Sequence, residues 1–112
     1  MKDCIFCSII NKQAKADIIY EDRDVVVIKD IKPAAKHHYL FIPTAHYANL
    51  AEMTVFNANV LAGIMKKIPE LVDSLGITNG YRLVINQGGD AGQTVQHFHI
   101  HLLAGQKMSF AV

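Results

Sequence analysis

The chain is short of most features that would assign it a function at sight. Eleven basic residues nearly balance ten acidic ones, and they are scattered, so it lacks the electrostatic footprint of a duplex or membrane-surface binder. No apolar stretch approaches the roughly 20 residues that cross a bilayer. The N-terminus "MKDCIFCSII" lacks the apolar core and small-residue cleavage site of a signal peptide. There is no repeat, low-complexity tract or linker. Only two cysteines occur, Cys4 and Cys7. So close together in a chain expected to be cytoplasmic, they read as thiols or metal ligands rather than a structural disulfide.

What is present is a compact apolar chain. Of 112 residues, 51% are hydrophobic and 19% charged, which argues for one globular domain over residues 1–112 and against disorder. "CSIINKQ" suggests a short helix. "DIIYED" and "DVVVIKDI" read as β-branched strands around a tight turn at residues 21–24, and "HYLFIP" as a third strand ending at Pro43. From Thr54 the period changes: Val60, Leu61, Ile64, Met65, Ile68, Val72 and Leu75 fall at helical spacing, with Thr54 as N-cap and Gly76 just past the end. Pro69 is expected to kink this helix. "YRLVIN" and "HFHIHLLA" complete five strands around the glycine-rich loop "QGGDAGQT". The layout predicts an α+β domain, a helix laid on a mostly antiparallel sheet.

The last strand carries the strongest signal. In "QHFHIHLL", His97, His99 and His101 occupy alternate positions. On an extended segment they project to one face, ~6.5–7 Å apart, while Phe98, Ile100 and Leu102 face the core. Three readings compete: accident on a solvated strand, a metal site, or a nucleophilic imidazole with the others managing charge. The preceding loop, with Gly88, Gly89 and Gly92, suits backbone N–H groups cradling a phosphate. Asp90 is its only carboxylate, whereas a metal hydrolase usually needs an acidic ligand or base near its cluster. The balance favours nucleophilic histidine. Separately, Cys4-x-x-Cys7 has the spacing of two tetrahedral zinc ligands, although such a pair alone is a weak signal.

The run His97-Phe98-His99-Ile100-His101-Leu102-Leu103 fits the His-φ-His-φ-His-φ-φ signature of the histidine triad (HIT) superfamily. "DIKPAAKHHYLFIPTAH", "GYRLVINQGGDAGQTVQ" and "LLAGQKM" resemble its Hint branch. The resemblance implies the HIT-like fold: a five-stranded antiparallel sheet with one long and one short helix, dimerising into a ten-stranded sheet. It implies a nucleotide hydrolase or transferase acting at the α-phosphate of purine nucleoside phosphoramidates or aminoacyl-adenylates, with His99 as nucleophile. By position it assigns His101, Gln93 and the Gly92 loop to the phosphate, Thr94 to the leaving group, and His38 to a fourth active-site histidine. Asn86 is assigned to ribose or phosphate and Asp30 to the ribose hydroxyls, with Ile28 and Ile31 flanking the base. Adjacent His37 is expected at the surface. Bacterial HIT proteins and galactose-1-phosphate uridylyltransferases pair two such cysteines with two distant histidines, which implies a structural Zn²⁺ on Cys4, Cys7, His46 and His97. No catalytic metal, nucleic acid or membrane is implied. The sequence departs from the Hint pattern at its end, "KMSFAV", where Phe110 stands in place of a tryptophan. Thr94 echoes the dinucleoside polyphosphate hydrolases of the Fhit type, and a non-catalytic nucleotide-binding dimer is the third alternative.

Overall fold

A computed structural model describes residues 3–109 and 112; Phe110 lies outside them. The order of elements is α1 (Ile5–Ile10), β1 (Ile18–Glu21), β2 (Val25–Lys29), β3 (His37–Pro43), α2 (Val55–Ser74), β4 (Tyr81–Val84) and β5 (Ile100–Ala104). Single 3-10 turns cover Leu50–Glu52 and Gly89–Ala91. The strands form one antiparallel sheet in the order β1-β2-β3-β5-β4. No helix among the described residues is long and apolar enough to cross a membrane.

Each element has a local cause. The turn between β1 and β2 closes on Asp22, whose Oδ1 accepts from the backbone N–H groups of Asp24 and Val25 at 2.8 and 3.0 Å. Lys67 of α2 pairs with the same carboxylate, which ties the helix to the turn and holds the Asp22 carboxyl at about 2. Helix α2 starts at a capping box, Thr54 and Asn57 each accepting from the other's backbone N–H at 3.0 Å. It ends beside Gly76, whose φ of +74° suits glycine. Pro69 lies inside the helix, which continues to Ser74; a proline so near the end removes one hydrogen bond without ending the helix.

The sheet is buried on both faces, so β2 reads as an unbroken apolar run rather than an alternation. Val25, Val27, Tyr39, Phe41, Phe98, Ile100 and Leu102 pack with Ile64, Ile68 and Val72 of α2. Val26, Ile28, Leu40 and Ile42 point the other way, onto Cys4, Phe6, Cys7 and Ile9 of the N-terminal segment. The short helix therefore covers the face to which the histidines belong. It begins two residues earlier than "CSIINKQ" suggests, because Cys4 serves as N-cap and accepts from Cys7 N–H.

The expected fifth strand is also shorter. β5 begins at Ile100, after His97 and His99. Phe98 N–H donates instead to the Tyr47 carbonyl at 2.7 Å, since β3 pairs with β5 only as far as Phe41↔Ile100. The alternation still holds. Phe98, Ile100 and Leu102 are fully buried beneath α2, and the histidines take the opposite face.

Candidate active site and metal centre

Register explains how two distant histidines meet. In the β3–β5 ladder His38 is opposite Leu103 and Leu40 opposite His101, so His38 and His101 are diagonal neighbours on one face. His38 Nε2 lies 2.8 Å from His101 Nδ1 and 3.4 Å from Asp30 Oδ2. The Ala34 backbone N–H donates to His38 Nδ1 at 3.0 Å. That donor can be met only by a lone pair, so in neutral His38 the proton sits on Nε2. It then donates to His101 Nδ1, which leaves the His101 proton on Nε2. Burial, and then the neighbouring imidazoles His99 and His38, push His101 down to about 4. Burial lowers His38 as well, against the pull of Asp30. Both rings are neutral donors near pH 7.

His99 is fixed differently. Its Nδ1 lies 2.7 Å from the carbonyl oxygen of His97, so Nδ1–H donates there and Nε2 keeps its lone pair. Burial lowers the pKa of this ring too, and a neutral imidazole with a free Nε2 is a nucleophile. Phe6 packs edge-on against it, with centroids 5.0 Å apart and planes at 80°.

Four ligand atoms meet beside it. Cys4, Cys7, His46 and His97 have their donor atoms within 4.8 Å of one another. His97 Nδ1 lies 3.4 Å from Cys4 Sγ, 3.6 Å from Cys7 Sγ and 3.1 Å from His46 Nδ1; His46 Nδ1 lies 3.3 Å from Cys7 Sγ. A tetrahedron with zinc–sulfur and zinc–nitrogen bonds of ordinary length has edges of about 3.3–3.8 Å. Protonation agrees. His97 Nε2 lies 2.8 Å from the Pro43 carbonyl and donates to it, leaving Nδ1 as a lone pair among the sulfurs. Burial holds this ring neutral, at about 4. Burial and the adjacent Cys4 sulfur push the Cys7 thiol up, a cost that a cation among the donors would reverse. The group fits a closed zinc site.

Asp30, His38 and His101 also bring three possible ligand atoms within 4.8 Å, but they do not fit a metal. The Ala34 N–H keeps the only free lone pair of His38 on Nδ1, so its Nε2 is a donor.

The remaining expected residues divide. His37 faces the α2 side and stacks on Tyr39 with centroids 6.1 Å apart, away from His38. Ile28 is buried behind the site, whereas Ile31 is 91% exposed, free to meet a ligand. Asn86 lies two residues beyond Val84, the partner of His101. Thr94 is exposed and lines a hollow of ≈ 640 Å³ with Cys4, His46 and Gln96.

Gln93 corrects the expectation. Its side chain is turned inward and spent on the backbone: Oε1 accepts from Gly88 N–H at 3.0 Å, and Nε2 donates to the carbonyls of Ala48 and Val95 at 2.7 and 3.3 Å. The Gly92 and Gln93 N–H groups donate to Gly89 and Gly88 carbonyls. The loop is thus a self-bonded turn stapled by Gln93, and neither Gly92 N–H nor the Gln93 amide is left for a phosphate. Missed from the sequence were Ala34 N–H, the Pro43 carbonyl and Phe6. Only Phe6, the apolar residue enclosed by Cys4 and Cys7, left any mark there.

A sheet-borne constellation of this kind, with histidines at alternate positions entering the last paired strand and a fourth reaching across from its neighbour, defines a class of small α+β proteins. The chain belongs to that class as a member of the HIT family. The family model described as the scavenger mRNA decapping enzyme C-terminal binding domain matches residues 3–111. Protein HitA of Neisseria gonorrhoeae is 42% identical over 92% of this chain and 96% of its own length. A HIT family hydrolase from Clostridium thermocellum superposes with a TM-score of 0.93 at 45% identity, covering 100% of this chain and 98% of that one. A zinc-bound histidine triad family protein from Mycobacterium smegmatis has a TM-score of 0.81 at 31% identity, over 96% of this chain and 78% of that one.

Proposed function

We propose that this protein is a nucleotide hydrolase or transferase that acts at the α-phosphate of purine nucleoside phosphoramidates or aminoacyl-adenylates. The observation that carries the reading is the 2.7 Å contact between His99 Nδ1 and the His97 carbonyl, because it frees Nε2 for attack. In the first step the Nε2 lone pair bonds to phosphorus and the bond to the leaving group breaks; an amine departs after taking a proton from solvent, and a carboxylate departs as the anion. The His101 Nε2–H donates to a non-bridging oxygen as charge builds there. The Thr94 hydroxyl is on the exposed side, suited to the leaving atom. In the second step water bonds to phosphorus and gives up a proton to solvent, the phosphorus–Nε2 bond breaks with its electron pair returning to Nε2, and AMP or GMP is released. Dividing one displacement into two is the advantage of covalent catalysis.

Asp30 would bind the ribose hydroxyls, with exposed Ile31 against the base, Ile28 behind it and Asn86 reaching ribose or phosphate. Cys4, Cys7, His46 and His97 would hold a structural Zn²⁺, which supplies cross-linking rather than chemistry. The active form would be a homodimer joining two sheets, and a cysteine pair that forms no disulfide suits the cytoplasm. A dinucleoside polyphosphate substrate is favoured by Thr94 alone.

The test is His99→Ala. Folded variant protein should lose turnover of adenosine phosphoramidate while still binding AMP; turnover at the wild-type rate would refute the mechanism. Wild type that turns over diadenosine tetraphosphate better than the phosphoramidate would favour the second substrate class. Failure to turn over either, with AMP still bound, would leave a nucleotide-binding dimer. Metal analysis of protein purified without chelators should find about one zinc per chain.

A further inference from the structure

We propose that Phe6 is a positioning residue for the nucleophile, and that the four-ligand metal group works through it on the rate of reaction. The inference rests on the reading of His99 as nucleophile and of Cys4, Cys7, His46 and His97 as metal ligands.

Phe6 lies between the two cysteines in sequence and is buried, 6% exposed. Its ring meets two histidines edge-on: His97 at 5.9 Å with planes at 78°, and His99 at 5.0 Å with planes at 80°. One of those is a ligand and the other the nucleophile. α1 has only six residues, too few to be stable alone. It is fastened at its first turn by Cys4 and Cys7, so whatever fixes those sulfurs also fixes the Phe6 ring.

His99 is then held from two sides. The His97 carbonyl takes its Nδ1–H at 2.7 Å, and Phe6 blocks the ring from turning about its own axis. Both constraints lead to the same ligand group, one through the His97 main chain and one through α1. An imidazole held only by one hydrogen bond could swing its Nε2 off the line of attack, and a misplacement of about 1 Å can cost on the order of 100-fold in rate.

The experiment uses the full chain loaded with zinc and compares wild type, Phe6→Leu and Phe6→Ala. Metal per chain, kcat and KM for adenosine phosphoramidate, and the His99 Nδ1–H resonance by ¹⁵N-edited NMR are read together. Metal content should stay at about one per chain and KM within about twofold. Phe6→Ala should lower kcat on the order of tenfold, and Phe6→Leu should recover most of that loss. The Nδ1–H resonance should weaken in Phe6→Ala. Unchanged kcat and resonance in zinc-loaded Phe6→Ala would overturn the proposal, as would a rise in KM equal to the fall in kcat/KM.

A cycle with metal removal adds an independent arm. Stripping zinc from wild type should lower kcat, and stripping Phe6→Ala should lower it by a smaller factor, because only the His97 main-chain route is left to lose. An equal loss in both would show that the metal does not act through Phe6, and would overturn the proposal. If either stripped protein unfolds by circular dichroism, the zinc-loaded variants decide. Wild-type turnover by His99→Ala would sink the nucleophile reading and this proposal with it; a null result at Phe6 sinks this proposal alone.

Discussion

Two histidine groups share one face of the sheet and use imidazole in opposite senses. In the first, His97 gives its only proton to the Pro43 carbonyl and turns a lone pair towards His46 and two sulfurs. In the second, a backbone N–H from Ala34 forces His38 to carry its proton outward, into His101. His99, between them in sequence, gives its Nδ1 proton to a carbonyl and leaves Nε2 bare. Residue type does not separate these roles. A carbonyl or an amide at one ring nitrogen decides whether the other becomes ligand, nucleophile or donor.

The largest effect should come from breaking the ligand group. Cys7→Ser is expected to lose zinc and several kcal/mol of stability, a fall on the order of 10 °C or more in Tm. Metal analysis and thermal denaturation check it. An unchanged Tm with zinc retained would mean that the sulfur is no ligand.

The proton relay should be less costly to break and should show in rate rather than stability. His38→Ala removes the donor that orients His101, and kcat/KM should fall on the order of 10- to 100-fold. His37→Ala, one residue away but on the α2 side of β3, should leave kcat/KM within about twofold. Equal losses at the two positions would show that the fall came from disturbing β3 and not from the relay.

Much of this was legible in the sequence, and the failures have one cause. The α2 boundaries followed from Thr54 and Gly76, and the alternation of His97, His99 and His101 against Phe98, Ile100 and Leu102 held in three dimensions. Alternation, however, reports which face a side chain takes, not what its backbone pairs with. The strand therefore starts three residues later than the alternation suggests, because Phe98 N–H bonds to the Tyr47 carbonyl instead. Gln93 could be read as a phosphate donor because nothing in its neighbours shows that Gly88 and Ala48 will claim its amide. The same holds for Ala34: a backbone N–H is present at every non-proline residue, so its assignment to His38 leaves no trace in composition or spacing.

Asp30 sharpens the contrast at intermediate scale. Its Oδ1 accepts from Lys32 N–H at 2.8 Å, an interaction an asparagine keeps. Asp30→Asn should therefore fold normally and preserve kcat within about twofold. If the carboxylate binds the ribose hydroxyls, KM for adenosine phosphoramidate should rise about tenfold, the worth of one charged hydrogen bond. A deoxyribose substrate that is unaffected by the substitution would support the assignment; equal KM values for both proteins on the ribose substrate would remove it.

The smallest effect concerns acid stability, and it belongs to the relay. The groups facing His101 are His38, His99 and Asp30, and burial outweighs the carboxylate's attraction for the proton. Above pH 6.5 the ring is neutral in both folded and unfolded chains, so it contributes no slope. Between about 6.5 and about 4, the unfolded chain takes up a proton that the folded ring refuses, and stability falls as the pH falls. Below about 4 the folded ring is protonated too, and the slope from this group ends. His38, lowered in the same direction, adds to the slope just under 6.5. The ligand group has its own acid loss as protons displace the metal, but that loss is common to wild type and to His101→Gln. Urea unfolding of the two zinc-loaded proteins at pH 7.5 and 5 isolates the relay. The variant's stability should fall less on acidification, by ~1 kcal/mol after allowance for solvent reaching the half-open ring. Identical acid losses would mean that His101 is already protonated in the folded protein at pH 5, and that the Ala34–His38–His101 relay does not hold it neutral.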